Sequence, residues 1–381
     1  MSEPAVSDNG LDPGAVLRTP ACELFGVRYP IVQTGMGWVA GARLAAATSS
    51  AGGLGVIASA TMTYDQLRKA IAEVKDRTGN PFGVNLRPSH AEVQRFVELL
   101  IKERIPVVSF AQAPNATLIA RIKDAGIVTM PTIAAPRHAE KVVAMGVDAV
   151  IAQGQEGGGH TGYIPTSLLL PQVTAQVDIP VMGAGGFHSG RGLAAALAWG
   201  AAGIAMGTRF LLTKESTVPD QVKARYLAAA LTDTVVTRAI DGAPQRVIRT
   251  ELVERIDGGL GIVSGARAVA NAMRLRKLTG TSLPDLIREG LAMRRDGDLT
   301  WAQVAMAANA PMLTRAALVE GRLDAGILPT GQVAGLIDQL PTVQELIDGI
   351  VGEATSTLVG LSSRVTGAPA AAGGGVSPDV R

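Results

Sequence analysis

The chain has 381 residues, 47% hydrophobic and 18% charged, with a formal net charge of +2. That is a globular composition with ample material for a core, and its spread of Lys and Arg excludes the clustered basic stripe of a nucleic-acid binder. The single cysteine, Cys22, excludes an internal disulfide framework and fits a reducing compartment, while 3% aromatic residues argue against a base-stacking platform.

Residues 1–18 are polar, carry Gly and Pro, and are expected to be a flexible arm. They lack the basic start and apolar stretch of a signal peptide, so a cytoplasmic protein is expected. From Pro30 onward, short apolar β-rich runs recur: Ile31–Gly35, Leu54–Ala58, Phe82–Asn85, Val107–Phe110, Val128–Met130, Ala149–Ala152, Pro180–Gly183 and Gly203–Gly207. Stretches of helical periodicity lie between them, among them Tyr64–Val74, Ala91–Glu103, Ala116–Ala125, Ala139–Met145 and Gly190–Trp199. Alternating strand and helix indicates a parallel sheet. Eight strands within residues 30–210, apolar on both faces, predict a (β/α)8 TIM barrel over an open doubly wound sheet. Gly192–Leu212 is apolar enough to imitate a membrane span, but Gly200, Gly203 and Gly207 divide it into a buried helix and a buried strand, so no membrane is expected.

After Leu212 the rhythm stops. Residues 214–328 read as a mainly helical subdomain, with helices near Asp220–Leu231, Ala266–Leu278, Leu283–Met293 and Trp301–Asn309. Val333–Leu336 and Val343–Val351 read as helices returning to the barrel, which is then built from 19–213 and 329–360. The Gly-, Ala- and Pro-rich end, 361–381, is expected to be disordered.

A barrel carries its active site at the C-terminal ends of its strands. Those ends bear Gln33-Thr-Gly35-Met36-Gly37, Asn85, Gln153 with the loop Gly157-Gly158-Gly159-His160, Gly183-Ala-Gly185-Gly186, and Gly207-Thr208. Glycines let a backbone come close to a ligand. The glycines after strands seven and eight, each followed by a helix, suit a phosphate held by backbone N–H groups and a helix dipole. Asn85 and Gln153 offer the donors and acceptors that the edge of a planar heterocycle needs, or else cap loops. Of four histidines, His90 and His138 read as loop and structural residues, and His188 could meet a phosphate oxygen. His160 alone is backed by glycines on both sides, and an imidazole exchanges protons near neutral pH. No metal-binding spacing and no nucleophile elbow accompany it.

Together, Gln33-Thr-Gly-Met-Gly37, Phe82-Gly-Val-Asn85, Gln155-Glu-Gly-Gly-Gly-His160-Thr-Gly162, Ala184-Gly-Gly186 and Ala205-Met-Gly-Thr-Arg-Phe210 resemble the nitronate monooxygenase group, the former 2-nitropropane dioxygenases. The flavin-dependent enoyl-acyl-carrier-protein reductases share that architecture. The resemblance spans roughly residues 20–355 and implies FMN at the barrel mouth with His160 as the catalytic histidine. A narrower resemblance, in Gln33–Leu44, Arg246–Leu252, Ala307–Leu313 and Gly331–Gly335, is to flavoenzymes of steroid C/D-ring catabolism that act on a CoA thioester. One departure is Ser189, where the phosphate loop of the group is expected to carry an acid.

The activity implied is α,β-desaturation of an acyl-CoA, or its reverse, with NAD(P) a candidate electron partner. Oxidation of alkyl nitronates with O2 is the alternative. Arg209, Arg246 and Arg249 are candidates for the CoA phosphates. The sequence leaves the oligomeric state open, and a homo-oligomer is compatible with it.

Overall fold

The computed structural model describes residues 13–257 and 301–366. Eight parallel strands close into a barrel: β1 (Ile31–Gln33), β2 (Leu54–Ala58), β3 (Phe82–Leu86), β4 (Val107–Phe110), β5 (Val128–Ile133), β6 (Val150–Gln153), β8 (Val181–Ala184) and β9 (Gly203–Met206). Closure comes from β9 pairing with β1 through Ile31–Ile204, Val32–Ala205 and Gln33–Met206. β7 (Gly159–His160) lies outside this ring.

Two helices lead in, α1 (Pro13–Val16) and α2 (Pro20–Phe25). Pro20 fixes the first turn of α2, and Gly26 ends it in the left-handed conformation at φ 68°. Ala21 and Phe25 of α2 pack with Val32, Val56, Val107, Met130, Ile151 and Met182, which fill the barrel interior. A helix follows each barrel strand in the chain: α3 (Ala42–Ser50), α4 (Tyr64–Arg77), α5 (Val93–Lys102), α6 (Ala116–Asp124), α7 (Pro136–Val143), α8 (Thr166–Thr174), α9 (Gly190–Ala198) and the short α10 (Thr208–Leu211). Their starts follow local rules. Thr63 and Gln66 form a reciprocal capping box at α4, and the Asn115 side chain accepts from Leu118 N at α6. The stretch that imitates a membrane span is divided into α9, β9 and α10, and among the described residues no helix is long and apolar enough to cross a membrane.

The chain continues with α11 (Asp220–Leu227), β10 (Thr234–Thr237), β11 (Gln245–Ile248), α12 (Glu251–Asp257), α13 (Trp301–Leu318), a 3-10 turn at Gln332–Leu336, and α14 (Val343–Thr366). α14 returns across α9 and α3. A side chain at Gly190 would collide with the backbone of Ile350 and Ala354, so α9 and α14 touch main chain to main chain.

Three expectations change. The arm is not free to residue 18, because α1 forms and Leu17 is fully buried in the core. Helix α14 runs through Thr366, past the point where a disordered tail was expected to begin. The region after Leu212 also carries strands: β10, β11 and β7 form a three-stranded antiparallel sheet. The expected helices Ala266–Leu278 and Leu283–Met293 lie outside the described residues, while Trp301–Asn309 falls within α13.

Candidate active site

Strand β6 delivers the loop that begins at Gly154. Glycine is required along it because backbone meets backbone on both sides. A side chain at Gly158 would overlap the carbonyl carbon of Thr330 and the nitrogen of Gly331. One at Gly185 would sit 2.9 Å from Gly154 O and 3.0 Å from Gly157 N. Gly185 and Gly186 take φ of 86° and 83°, and Gly159 takes 65°, conformations that L side chains rarely adopt. Gly331 N donates to Thr208 Oγ1 at 2.8 Å. Segments 154–159, 185–186, 208 and 330–331 therefore form one backbone-lined cluster at the ends of β6, β8 and β9.

A second cluster forms at the ends of β1 and β3. A side chain at Gly35 would collide with Asn85, and one at Gly207 would approach Met36 Sδ at 3.4 Å. Asn85 is buried and donates from Nδ2 to Ser109 Oγ at 2.9 Å. Gly37 lies under Thr61, 3.2 Å from a would-be Cβ. Gln33 is placed differently from its expected ligand role. It is fully buried; Oε1 accepts from Val56 N at 3.3 Å, and Nε2 donates to Val56 O at 3.2 Å and to Thr34 O. It pins β1 to β2. Gly183, also expected near the ligand, is packed against Leu170 and Phe187 within the wall.

His160 projects from this frame with its side chain 66% exposed. Its carbonyl accepts from Gln153 Nε2 at 2.7 Å, so Gln153 holds the loop from below. As part of β7 it pairs with Gln245 of β11, and Gly159 pairs with Arg246. The hairpin brings two side chains to one ring nitrogen. Nε2 of His160 lies 2.7 Å from Asp241 Oδ2 and 3.2 Å from Gln245 Nε2. Asp241 is largely buried and its Oδ1 accepts from Ala243 N at 3.1 Å. Burial raises the Asp241 pKa, but the hydrogen bond and charge of His160, joined by Gln245 and the Ala243 amide, more than offset it. The net pKa lies below the ordinary carboxylate value.

Glu156, inside the same loop, accepts from Thr166 N at 3.0 Å and from Thr166 Oγ1 at 2.7 Å, fastening the loop to the start of α8. Arg246 is buried. Its Nε and NH2 donate to Gln155 O at 3.1 and 3.0 Å, and NH1 donates to Thr234 Oγ1 at 2.9 Å. It is a clamp on the glycine loop rather than a cation at the mouth. Arg209 also departs from its expected role. It is buried and donates to Leu212 O and Gln339 O, and burial lowers its pKa to about 10 against a smaller opposing effect of Asp338. Arg249 is exposed. Another exposed cation, Arg238, donates from Nε to Tyr163 OH at 2.9 Å, three residues past His160 in the chain.

The start of α9 is not an open anion site. Ser189 accepts from Gly192 N, and the Glu353 carboxylate takes Gly190 N at 2.6 Å. The expected phosphate contacts at that helix are thus replaced by an internal acid, which leaves the turns at Gly185–Gly186 and Gly207–Thr208. His188 lines a cleft of about 850 Å³ with Arg209, Asp338 and Glu353, apart from the His160 loop. Burial, and then Arg209, push its pKa down.

Asp241, Gln245, Glu156 and the Thr330–Gly331 strap are absent from the sequence-based site. One signal was available: Asp241-Gly242 between β-branched runs is a hairpin dipeptide, and Gly242 has φ 84°.

The nitronate monooxygenase family model matches residues 18–96 and 90–353. Two relatives carry the name (3aS,4S,5R,7aS)-5-hydroxy-7a-methyl-1-oxo-octahydro-1H-indene-4-carboxyl-CoA dehydrogenase. The one from Mycobacterium tuberculosis is 56% identical and the one from Rhodococcus jostii 55%, each over 92% of this chain and 99% of the relative. Among solved structures, FabK from Thermotoga maritima is similar with a TM-score of 0.75 and 36% identity, over 91% of this chain and 99% of that one.

Proposed function

The chain belongs to the nitronate monooxygenase family and is an oxidoreductase; from that premise we propose that it is an FMN-dependent dehydrogenase of a ring-bearing CoA thioester, of the kind formed in steroid C/D-ring catabolism. The observation that carries the reading is the similarity along nearly the whole length to two relatives named for such a thioester. FMN fits the residues on two counts. Gly185, Gly186 and Gly207 offer bare main chain where a phosphate needs N–H donors, and Thr208 follows with a hydroxyl at the start of a helix. Asn85 offers an amide at the end of β3, beside Gly35. FMN, when bound, supplies a two-electron acceptor. The protein's own part is to hold the thioester against the mouth and to move a proton. A thioester carbonyl acidifies its α-carbon, and His160 is the base that takes that proton. Arg238 and Arg249, both exposed, are better suited than the buried Arg209 and Arg246 to meet the CoA phosphates. The reverse direction, enoyl reduction with NAD(P)H as donor, uses the same residues.

Anaerobic mixing tests this. The purified protein should be yellow, release FMN on denaturation, and lose flavin absorbance when a bicyclic acyl-CoA is added. A colourless protein unable to take up added FMN would overturn the cofactor. Flavin reduction by an alkyl nitronate but by no acyl-CoA would overturn the substrate in favour of nitronate oxidation.

A further inference from the structure

We propose that Asp241 is a positioning residue that fixes the tautomer of His160, so that Nδ1 is the atom that accepts the substrate proton. This rests on His160 being the base, as proposed above. The geometry is a contest at one atom. Nε2 carries either a hydrogen or a lone pair, never both. Asp241 Oδ2 at 2.7 Å can only accept from it, and the Gln245 amide nitrogen at 3.2 Å can only donate to it. The shorter, charge-assisted bond wins, which places the hydrogen on Nε2 and the lone pair of the neutral ring on Nδ1. The Gln245 amide also lowers the Asp241 pKa, favouring the carboxylate. It thereby supports Asp241 instead of competing for the ring.

The carboxylate is held for this task before any substrate arrives. Asp241 and Gly242 turn the β10–β11 hairpin, and the Ala243 amide pins Oδ1 at 3.1 Å while Oδ2 meets the ring. Both ends are anchored in one small sheet, since His160 is in β7 and Gln245 in the strand beside it. In the step itself the Cα–H bond breaks and its electron pair moves toward the thioester carbonyl oxygen. A new N–H bond forms at Nδ1. The imidazolium so made keeps its Nε2–H on Asp241, whose negative charge then faces the new positive one.

The isosteric variant Asp241→Asn gives a sharp test. The Ala243 amide is a donor, so it retains the amide oxygen of Asn. The NH2 group then faces Nε2, and the ring is forced to the Nδ1–H tautomer. With His160 labelled by 15N, NMR of the unsubstituted protein should show Nε2 protonated in the neutral ring, and Asp241→Asn should show Nδ1 protonated. Acyl-CoA-driven flavin reduction should fall on the order of 10²–10⁴-fold in the variant, with FMN affinity unchanged. Asp241→Ala provides a second variant, in which Gln245 is left as the only hairpin partner of Nε2 and the same tautomer change is expected. An Nδ1–H ring in the unsubstituted protein, or an unchanged tautomer in both variants, would overturn the proposal. The tautomer is read without substrate, so failure of every thioester to reduce the flavin would sink the substrate reading alone.

Discussion

The barrel and the small sheet beside its mouth solve opposite problems. In the barrel, eight strands are apolar on both faces and closed on themselves, and position is held by volume. In the sheet of β7, β10 and β11, position is held by named polar bonds. Arg246 grips Gln155, Gln153 grips the His160 carbonyl, and Asp241 meets the ring. The barrel therefore places the loop that bears His160, and the sheet supplies the polar partners of its ring.

The largest expected effect isolates the second region. His160→Ala removes a 66% exposed side chain but also the partner of the largely buried Asp241 carboxylate, so it should lower denaturant stability by about 1–3 kcal/mol without unfolding the protein. Steady-state turnover should fall on the order of 10²–10⁴-fold with FMN retained. Unchanged turnover would remove His160 from the mechanism and break the contrast. Gly55→Ala strikes the barrel instead. Its Cβ would collide with the backbone of Ala45 where α3 packs on β2. Overpacking of this kind costs about 1–3 kcal/mol, to be read as a lower denaturant midpoint. Turnover per folded molecule should stay near that of the parent.

Between these extremes lies the clamp. Arg246→Met keeps much of the volume but deletes the bonds to Gln155 O and Thr234 Oγ1. The loss should be about 1.5–3 kcal/mol, as for hydrogen bonds from a charged donor. Because Gln155 opens the glycine loop, KM should rise and turnover fall together. If only KM for CoA thioesters rises and stability is unchanged, Arg246 is a substrate cation after all, and the sheet is less of a scaffold than its bonds imply.

The difference between the regions also explains what could be read in the sequence. Parallel strands buried on both faces write themselves as short apolar runs, so β1 to β6, β8 and β9 were visible together with their mouth-facing ends. The histidine loop was visible because glycine has few other reasons to recur there. The hairpin was not. β10 and β11 are four residues each, with Thr, Gln and Arg among them, and β7 is a two-residue strand paired with residues more than 80 positions away. No local pattern encodes that pairing, and only Asp241-Gly242 marked the turn. Residue type was a poor guide to direction in the same way. Gln33, Arg209 and Arg246 have the chemistry of ligand contacts, yet their hydrogen bonds run to atoms of the protein itself, mostly backbone carbonyls.

The smallest prediction tests whether the strap behind the glycine loop belongs to the scaffold or to the site. Tyr226 on α11 is fully buried, and its hydroxyl donates to Pro329 O at 2.8 Å. Burial raises its pKa far above the ordinary phenol value, so it stays protonated and a donor throughout the working range. Pro329 is followed by Thr330 and Gly331, the residues whose backbone lies against Gly158. Tyr226→Phe leaves the ring packing intact but strips the Pro329 carbonyl of this donor, at a cost of about 0.5–1.5 kcal/mol. If the strap is scaffold, this shift in denaturant midpoint is the whole effect, and turnover and FMN affinity remain as in the parent. A fall in FMN affinity larger than the stability loss would instead place the strap within the cofactor cradle. The boundary between frame and site would then move outward from the hairpin to α11.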